Sequence, residues 1–96
     1  TKLAHRMRRE EVGPGQPLLR EGDDGDRFYV VLNGLLSVTQ NDRGLRRILK
    51  PGDYFGEVAL TMDLPRTASV SPMTLSTLAS CDRETFDEFI RPLFAE

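Results

Sequence analysis

The sequence predicts a mainly β fold: a small antiparallel β-barrel or jelly roll with a short internal helix and flanking N- and C-terminal helices. Three observations lead to this prediction. Short apolar and β-branched segments recur between residues 17 and 81, separated by turns rich in Gly, Pro, Asn and Asp. An apolar face with helical spacing follows Asp82. The chain has 96 residues, which fits one domain with a modest core.

The N-terminal segment carries a helical pattern that ends early. Leu3 and Met7 lie one helical turn apart, and Gly13-Pro14-Gly15 would break any helix that reached it. Residues 1–9 are therefore expected to form the tail of a helix. The barrel is expected to occupy about residues 11–81.

The first half of the predicted barrel alternates strands with tight turns. Residues 17–20 are predicted to form a short strand, and residues 28–32 a buried one, because the latter are aromatic and β-branched. Asn33-Gly34 accepts positive φ at both central positions of a turn, so it predicts a hairpin that returns along residues 35–40. After a second turn, residues 45–49 form the next predicted strand.

The last part of the chain contains two further strands and a helix. Residues 68–71 and 75–81 are the predicted strands, and Asp82 is a favourable helix N-cap. Because Pro92 has no N–H to donate, the helix is predicted to span about residues 83–91. Its apolar face consists of Phe86, Phe89, Ile90, Leu93 and Phe94.

Composition excludes several classes of function. A net charge of −2 argues against general nucleic-acid binding, and no run of roughly 18 apolar residues predicts a membrane span. His5 is the single histidine, so no metal cluster or catalytic set can be assembled around it, and no enzymatic activity or cofactor is expected. Cys81 is the single cysteine and is predicted to be buried. With no apolar signal segment at the start, a cytoplasmic location is expected.

Residues 54–70 do not follow the alternation of short strands and turns, and they contain the candidate binding residues. Glu57 to Thr61 could form one helical turn, whose free N–H groups beside Gly56 would make an anion site. The planar guanidinium of Arg66 matches a phosphate diester, and ionised Glu57 suits a pair of hydroxyls. Together, the free N–H groups, the guanidinium and the carboxylate fit a ligand that has a sugar and a phosphate. A surface Glu57–Arg66 ion pair is the alternative.

At these residues the sequence resembles the phosphate-binding cassette of cyclic-nucleotide-binding domains. The two strings that carry the resemblance are Phe-Gly-Glu-Val-Ala-Leu at 55–60 and Pro-Arg-Thr-Ala-Ser-Val at 65–70. Turn and glycine positions extend it over about residues 12–91. Within the family, the sequence most resembles the regulatory domains of eukaryotic cGMP-dependent protein kinases.

The resemblance implies roles for individual residues. Glu57 would accept a hydrogen bond from the ribose 2′-hydroxyl, and Arg66 would pair with the cyclic phosphate. A Thr or Ser at the position of Thr67 is associated in this family with cGMP, so cGMP is expected to be preferred over cAMP. The predicted site comprises Gly56, Glu57, Val58, Ala59, Leu60, Arg66, Thr67 and Ala68, with backbone amides of Gly56, Ala59 and Leu60 near the ribose or phosphate.

The resemblance also implies a regulatory module that switches an attached effector. The effector would be a protein kinase catalytic domain in the same chain or in a partner chain. On ligand binding, Val58 and Leu60 would repack against the terminal helix through Phe86, Phe89 and Ile90. Two alternatives stay open: a cAMP-binding regulatory subunit domain, and a degenerate docking domain that binds no nucleotide.

Overall fold

Two antiparallel sheets and short helices make up the computed structural model, which describes residues 2–15, 17–62 and 64–94. The strands are β1 (Arg8–Val12), β2 (Arg27–Asn33), β3 (Leu36–Gln40), β4 (Gly44–Leu49), β5 (Tyr54–Phe55), β6 (Ser69–Pro72) and β7 (Ser76–Asp82). The helices are α1 (Lys2–Arg6), α2 (Glu57–Thr61), α3 (Arg83–Thr85) and α4 (Arg91–Phe94), with a π-helical turn, Phe86–Ile90, between the last two.

The two sheets confirm the predicted mainly β architecture. One sheet has the order β1-β7-β2-β5 and the other β4-β3-β6, with every pair antiparallel. Between the sheets lies the larger core cluster, made of Tyr29, Val31, Leu36, Leu49, Phe55, Val70 and Leu78. The two sheets therefore pack around a shared apolar interior.

A second core cluster lies beneath the helices and joins them to the barrel. It contains Phe28, Leu60, Cys81, Phe86 and Ile90, and the partly buried Leu3, Met7 and Phe89 pack against it. Cys81 is fully buried, as predicted. Leu60 belongs to α2, whereas Phe86 and Ile90 belong to the C-terminal helix, the continuous helical segment over residues 83–94. This cluster therefore brings the predicted binding segment, residues 54–70, against the C-terminal helix.

The hairpin predicted at Asn33-Gly34 is wrong, although the turn itself is present. Gly34 has φ +93, and its N–H donates to the Asn33 side chain. However, β2 pairs with β5 and β7, whereas β3 pairs with β4 and β6, so the turn passes the chain from one sheet to the other. A Cβ on Gly34 would also overlap Ser76, so close packing as well as φ requires glycine there.

The start of the barrel also differs from the prediction. The helix α1 ends at Arg6, and the polar strand β1 begins at Arg8, upstream of the predicted start near residue 11. It pairs along its whole length with β7. The strand predicted at residues 17–20 is absent. That segment forms only a single antiparallel β-bridge, between Leu19 and Val70.

The C-terminal helix begins as predicted and continues further. The Asp82 carboxylate accepts a hydrogen bond of 2.8 Å from the Thr85 backbone N–H, which confirms the N-cap. Helical geometry then runs past Pro92 to Phe94, beyond the predicted end near residue 91. The π-helical turn before Pro92, in which the Arg91 N–H donates to the Phe86 carbonyl, widens the helix where the proline interrupts the usual ladder.

Candidate functional site

A cavity of about 230 Å³ opens between the sheet β4-β3-β6 and the segment that carries α2. Strands β3 to β6 supply an apolar wall, and the residues on either side of α2 supply the polar groups. The lining residues are Leu19, Val38, Arg47, Leu49, Tyr54, Phe55, Gly56, Glu57, Val58, Ala59, Arg66, Thr67, Ala68 and Val70. Seven of the eight predicted site residues are among them, so the structure brings the predicted segment together around one space.

Arg66 is a buried cation in the wall of this cavity, with 6% of its surface exposed. Its Nη1 donates to the Gly56 carbonyl at 3.1 Å, and its Nη2 donates to the Arg27 carbonyl at 3.0 Å. Burial lowers the pKa of the guanidinium, while the nearby Tyr29 and Asp26 oppose that shift. The group stays charged, because the ordinary pKa of arginine lies far above physiological pH.

Two glycines make room for this guanidinium. A Cβ on Gly25 would overlap the Nε, Cζ and Nη2 atoms of Arg66. A Cβ on Gly56 would lie 2.8 Å from the Arg27 carbonyl oxygen and 3.0 Å from Nη1 of Arg66. Gly56 also has φ +94, which side-chain-bearing residues rarely adopt, so it meets both the conformational and the steric demand.

Glu57 opens α2 directly after Gly56 and lines the cavity. The sequence prediction of one helical turn over Glu57–Thr61 is confirmed. Within the described residues, the Glu57 carboxylate takes part in no hydrogen bond, and no ion pair joins it to Arg66. The alternative interpretation of a surface Glu57–Arg66 ion pair is therefore wrong: Arg66 is buried and bonds to backbone carbonyls instead.

Two of the predicted cassette residues behave differently from expectation. Leu60 is fully buried in the second core cluster, where it contacts the C-terminal helix, and it does not line the cavity. Val58 was expected to pack with Leu60 against that helix, but it is 38% exposed and faces the cavity. The helical period explains the difference, because residues two apart in α2 point to nearly opposite sides.

Arg47 is a cavity residue that the sequence interpretation did not identify. It lies on β4, and its guanidinium is 3.7 Å from the Asp53 carboxylate. Strand alternation could have found it, because Arg47 and Leu49 lie two residues apart on one face of β4 and Leu49 is a core residue. The cavity thus holds two guanidinium groups, one buried and one accessible.

Tyr54 links the cavity to the C-terminal helix through ring contacts. It lines the cavity and is 45% exposed. Its ring lies edge-on to Phe94, with centroids 5.6 Å apart, and 5.8 Å from the ring of Phe28. The end of α4 therefore contacts a residue of the cavity wall.

The described ranges hold no group of three or more His, Cys, Asp and Glu side chains placed to bind a metal ion. No helix within residues 2–15, 17–62 and 64–94 is both long and apolar enough to cross a membrane.

The fold and the cavity together define a small two-sheet domain with a buried cation in the wall of a candidate binding site, and comparison with known proteins identifies its family. Residues 9–92 match the family model of the cyclic nucleotide-binding domain. The chain belongs to this family.

Its relatives include a kinase regulatory subunit and a kinase. The chain is 41% identical over 93 residues to a cAMP-dependent protein kinase regulatory subunit from Yarrowia lipolytica, covering 96% of this chain and 25% of that protein. It is 38% identical over 81 residues to a cGMP-dependent protein kinase from Toxoplasma gondii, covering 84% of this chain and 8% of that protein. The chain therefore spans a quarter or less of these relatives.

Solved structures show the same fold. The regulatory domain of Toxoplasma gondii PKA, crystallised with cAMP, aligns with a TM-score of 0.88 and 29% identity, over 96% of this chain and 36% of that one. The regulatory subunit of a cAMP-independent protein kinase A from Trypanosoma brucei aligns with a TM-score of 0.90 and 26% identity, over 96% and 34%. The fold thus occurs in kinase regulatory proteins that differ in their dependence on cAMP.

Proposed function

We propose that this domain binds a cyclic nucleotide in the cavity beside Arg66, and that binding regulates a protein kinase catalytic domain in the same or a partner chain. The observation that carries the proposal is the buried Arg66 guanidinium, which bonds to two carbonyls next to the first turn of α2. Removing a cation from water is costly, and an anionic ligand at this wall offsets that cost.

The cavity offers a separate partner for each part of such a ligand. Arg66 and the unpaired N–H groups of the first turn of α2 suit the phosphate. The Glu57 carboxylate suits the ribose hydroxyl, since it only accepts hydrogen bonds. The apolar wall of Val38, Leu49 and Val70 suits the base.

We propose cAMP as the first candidate ligand. The relatives with 41% and 39% identity are cAMP-dependent protein kinase regulatory subunits, and the similar Toxoplasma gondii structure contains cAMP. Gly56, Glu57 and Arg66 interact with features that cAMP and cGMP share, so they do not select between the two.

The cGMP preference predicted from the sequence is the second candidate. Thr67 lines the cavity and is exposed, so its hydroxyl is accessible to a base. Arg47 adds an accessible guanidinium, and arginine donates readily to the O6 and N7 acceptors of guanine. The identity of 38% to a cGMP-dependent protein kinase agrees with this candidate.

In this proposal the domain is a regulatory module without catalytic activity of its own. The relatives named as regulatory subunits support that assignment. A cytoplasmic location is part of the same proposal, and the buried, unpaired Cys81 is compatible with a reducing compartment.

Isothermal titration calorimetry of Arg66→Ala with cAMP and cGMP tests the proposal. Loss of a desolvated, charge-assisted phosphate contact is expected to cost about 2–4 kcal/mol for both nucleotides. Because Arg66 is buried, Arg66→Lys serves as a second variant: it keeps the charge but loses the planar fork, and it is expected to bind with intermediate affinity.

The control is Arg46→Ala, which removes an equal charge from an exposed position on β4. Its affinity is expected to equal that of the wild type. Folded Arg66 variants with wild-type affinity would refute the proposed phosphate contact.

A further inference from the structure

The far end of α2 is held by an arginine from the C-terminal helix. Arg91 Nη2 donates to the Leu60 carbonyl at 2.5 Å, and Nη1 donates to the Thr61 carbonyl at 3.3 Å. These carbonyls belong to the last turn of α2, where backbone acceptors have no partner within the helix. Arg91 therefore caps the short helix whose first turn lines the cavity.

The Arg91 guanidinium is fixed from two further directions. Its Nε donates to the Asp87 carboxylate at 2.8 Å, and its Cζ lies 5.7 Å from the centre of the Phe86 ring. The rigid fork of donors thus joins one side chain of the C-terminal helix to two consecutive carbonyls of α2. The π-helical turn lies directly before this residue, and the Arg91 backbone N–H donates to the Phe86 carbonyl.

A helix of five residues cannot hold its geometry without tertiary contacts, because one turn is below the length at which a helix is stable alone. Its first turn carries Glu57 and follows Gly56, both at the cavity. Its last turn is attached to Arg91. One helical turn therefore separates the bonds to Arg91 from the residues that line the cavity.

We infer that Arg91 is a positioning residue that couples occupancy of the cavity to the C-terminal helix. This inference rests on the proposed function and names the side chain that transmits it. The apolar contact of Leu60 with Phe86 and Ile90 holds the same elements together, but it is non-directional. The two carbonyl bonds are directional, and because coupling is reciprocal, displacing the C-terminal helix must also lower nucleotide affinity.

A fluorescent label on the helix tests this coupling. Leu93 is 76% exposed, and the single native cysteine, Cys81, is fully buried, so Leu93→Cys accepts an environment-sensitive label selectively. In this background, saturating cAMP or cGMP is expected to change the emission of the label. Calorimetry measures affinity on the same samples, and thermal unfolding confirms that they are folded.

The key variant is Arg91→Ala. Its nucleotide affinity is expected to fall about five- to tenfold, within the usual range of coupling between two sites, and the emission change at saturation is expected to be lost. Arg91→Lys keeps the charge but cannot span both carbonyls, so an intermediate response is expected. Arg46→Ala, the charge-matched control, should behave as the wild type.

The possible failures are distinguishable. A variant Arg91→Ala that is less stable, yet gives the wild-type affinity and emission change, would show a merely structural role and overturn the inference alone. A wild-type protein that binds neither nucleotide would overturn the proposed function, and the inference would fall with it.

Discussion

The replacement Gly25→Ala tests the placement of Arg66 without altering Arg66 itself. The added methyl group would overlap three guanidinium atoms, Nε, Cζ and Nη2. Gly25 does not adopt the left-handed φ region, so alanine introduces no backbone strain there. The effect of the substitution therefore acts through displacement of the guanidinium.

The size of the effect follows from the bonds that this displacement breaks. Arg66 donates to the Gly56 and Arg27 carbonyls at 3.1 and 3.0 Å. A hydrogen bond with a charged partner contributes about 1.5–3 kcal/mol, so losing one or both is expected to lower the free energy of unfolding by about 2–4 kcal/mol. With the guanidinium out of place, nucleotide affinity is expected to fall about 30- to 150-fold, which corresponds to about 2–3 kcal/mol.

Urea denaturation and calorimetric titration with cAMP and cGMP measure the two effects. Gly13→Ala is the matched control, since its new Cβ meets nothing within 4 Å and its φ is also outside the left-handed region. That control is expected to retain wild-type affinity. If Gly25→Ala bound as tightly as Gly13→Ala, the position assigned to Arg66 would be refuted.

Three further predictions concern Thr67, Cys81 and Asp82. If the Thr67 hydroxyl contacts guanine, Thr67→Ala should weaken cGMP binding by about 0.5–1.5 kcal/mol and leave cAMP unchanged in calorimetry; equal losses would remove the basis for a cGMP preference. Burial raises the pKa of the Cys81 thiol, so a thiol reagent at neutral pH should modify the native protein far more slowly than the urea-unfolded protein, and rapid native modification would contradict this burial. The hydrogen bond from the Thr85 N–H lowers the pKa of Asp82, so its stabilising effect is complete above about pH 4 and is lost as the pH falls through the lower folded value. Asp82→Ala should therefore destabilise the protein in urea at pH 7, and progressively less as the pH is lowered below about 4; a pH-independent difference would count against the cap.

The cassette could be predicted from the sequence because its requirements are local. The turn α2, its glycine with positive φ and the bond from Arg66 to the Gly56 carbonyl lie within a short stretch of chain, and all three appear in the structure. The Asp82 N-cap is likewise a local contact between residues three apart. The roles of Glu57 and Arg66 toward a nucleotide stay predictions until a ligand is titrated.

Features that depend on distant contacts were not predictable in the same way. Asn33-Gly34 predicts a turn, but which strands pair after it depends on the packing of the two sheets, as does the fit of Gly34 against Ser76. The polar strand β1 has no apolar alternation and forms only because β7 offers an edge. The bond of Arg91 to carbonyls about 30 residues earlier carries no sequence signal at all.

The choice of base is the least determined part of the site. Thr67 and the resemblance to cGMP-dependent protein kinases predicted cGMP, whereas the named relatives with 41% and 39% identity are regulatory subunits of cAMP-dependent kinases. Arg47, which the structure adds to the cavity wall, offers donors to either purine. Selectivity depends on contacts with the base, which neither Glu57 nor Arg66 provides.

Calorimetric titration of the wild-type domain with cAMP, cGMP, AMP and GMP in parallel tests the central claim most directly. The account predicts saturable binding of at least one cyclic nucleotide, and much weaker binding of the noncyclic forms, because the proposed contacts of Arg66 and the first turn of α2 require a cyclic phosphate beside the ribose. The ratio of the two cyclic affinities decides between the candidate ligands. No heat of binding with any of the four would contradict the account and indicate a docking domain that binds no nucleotide.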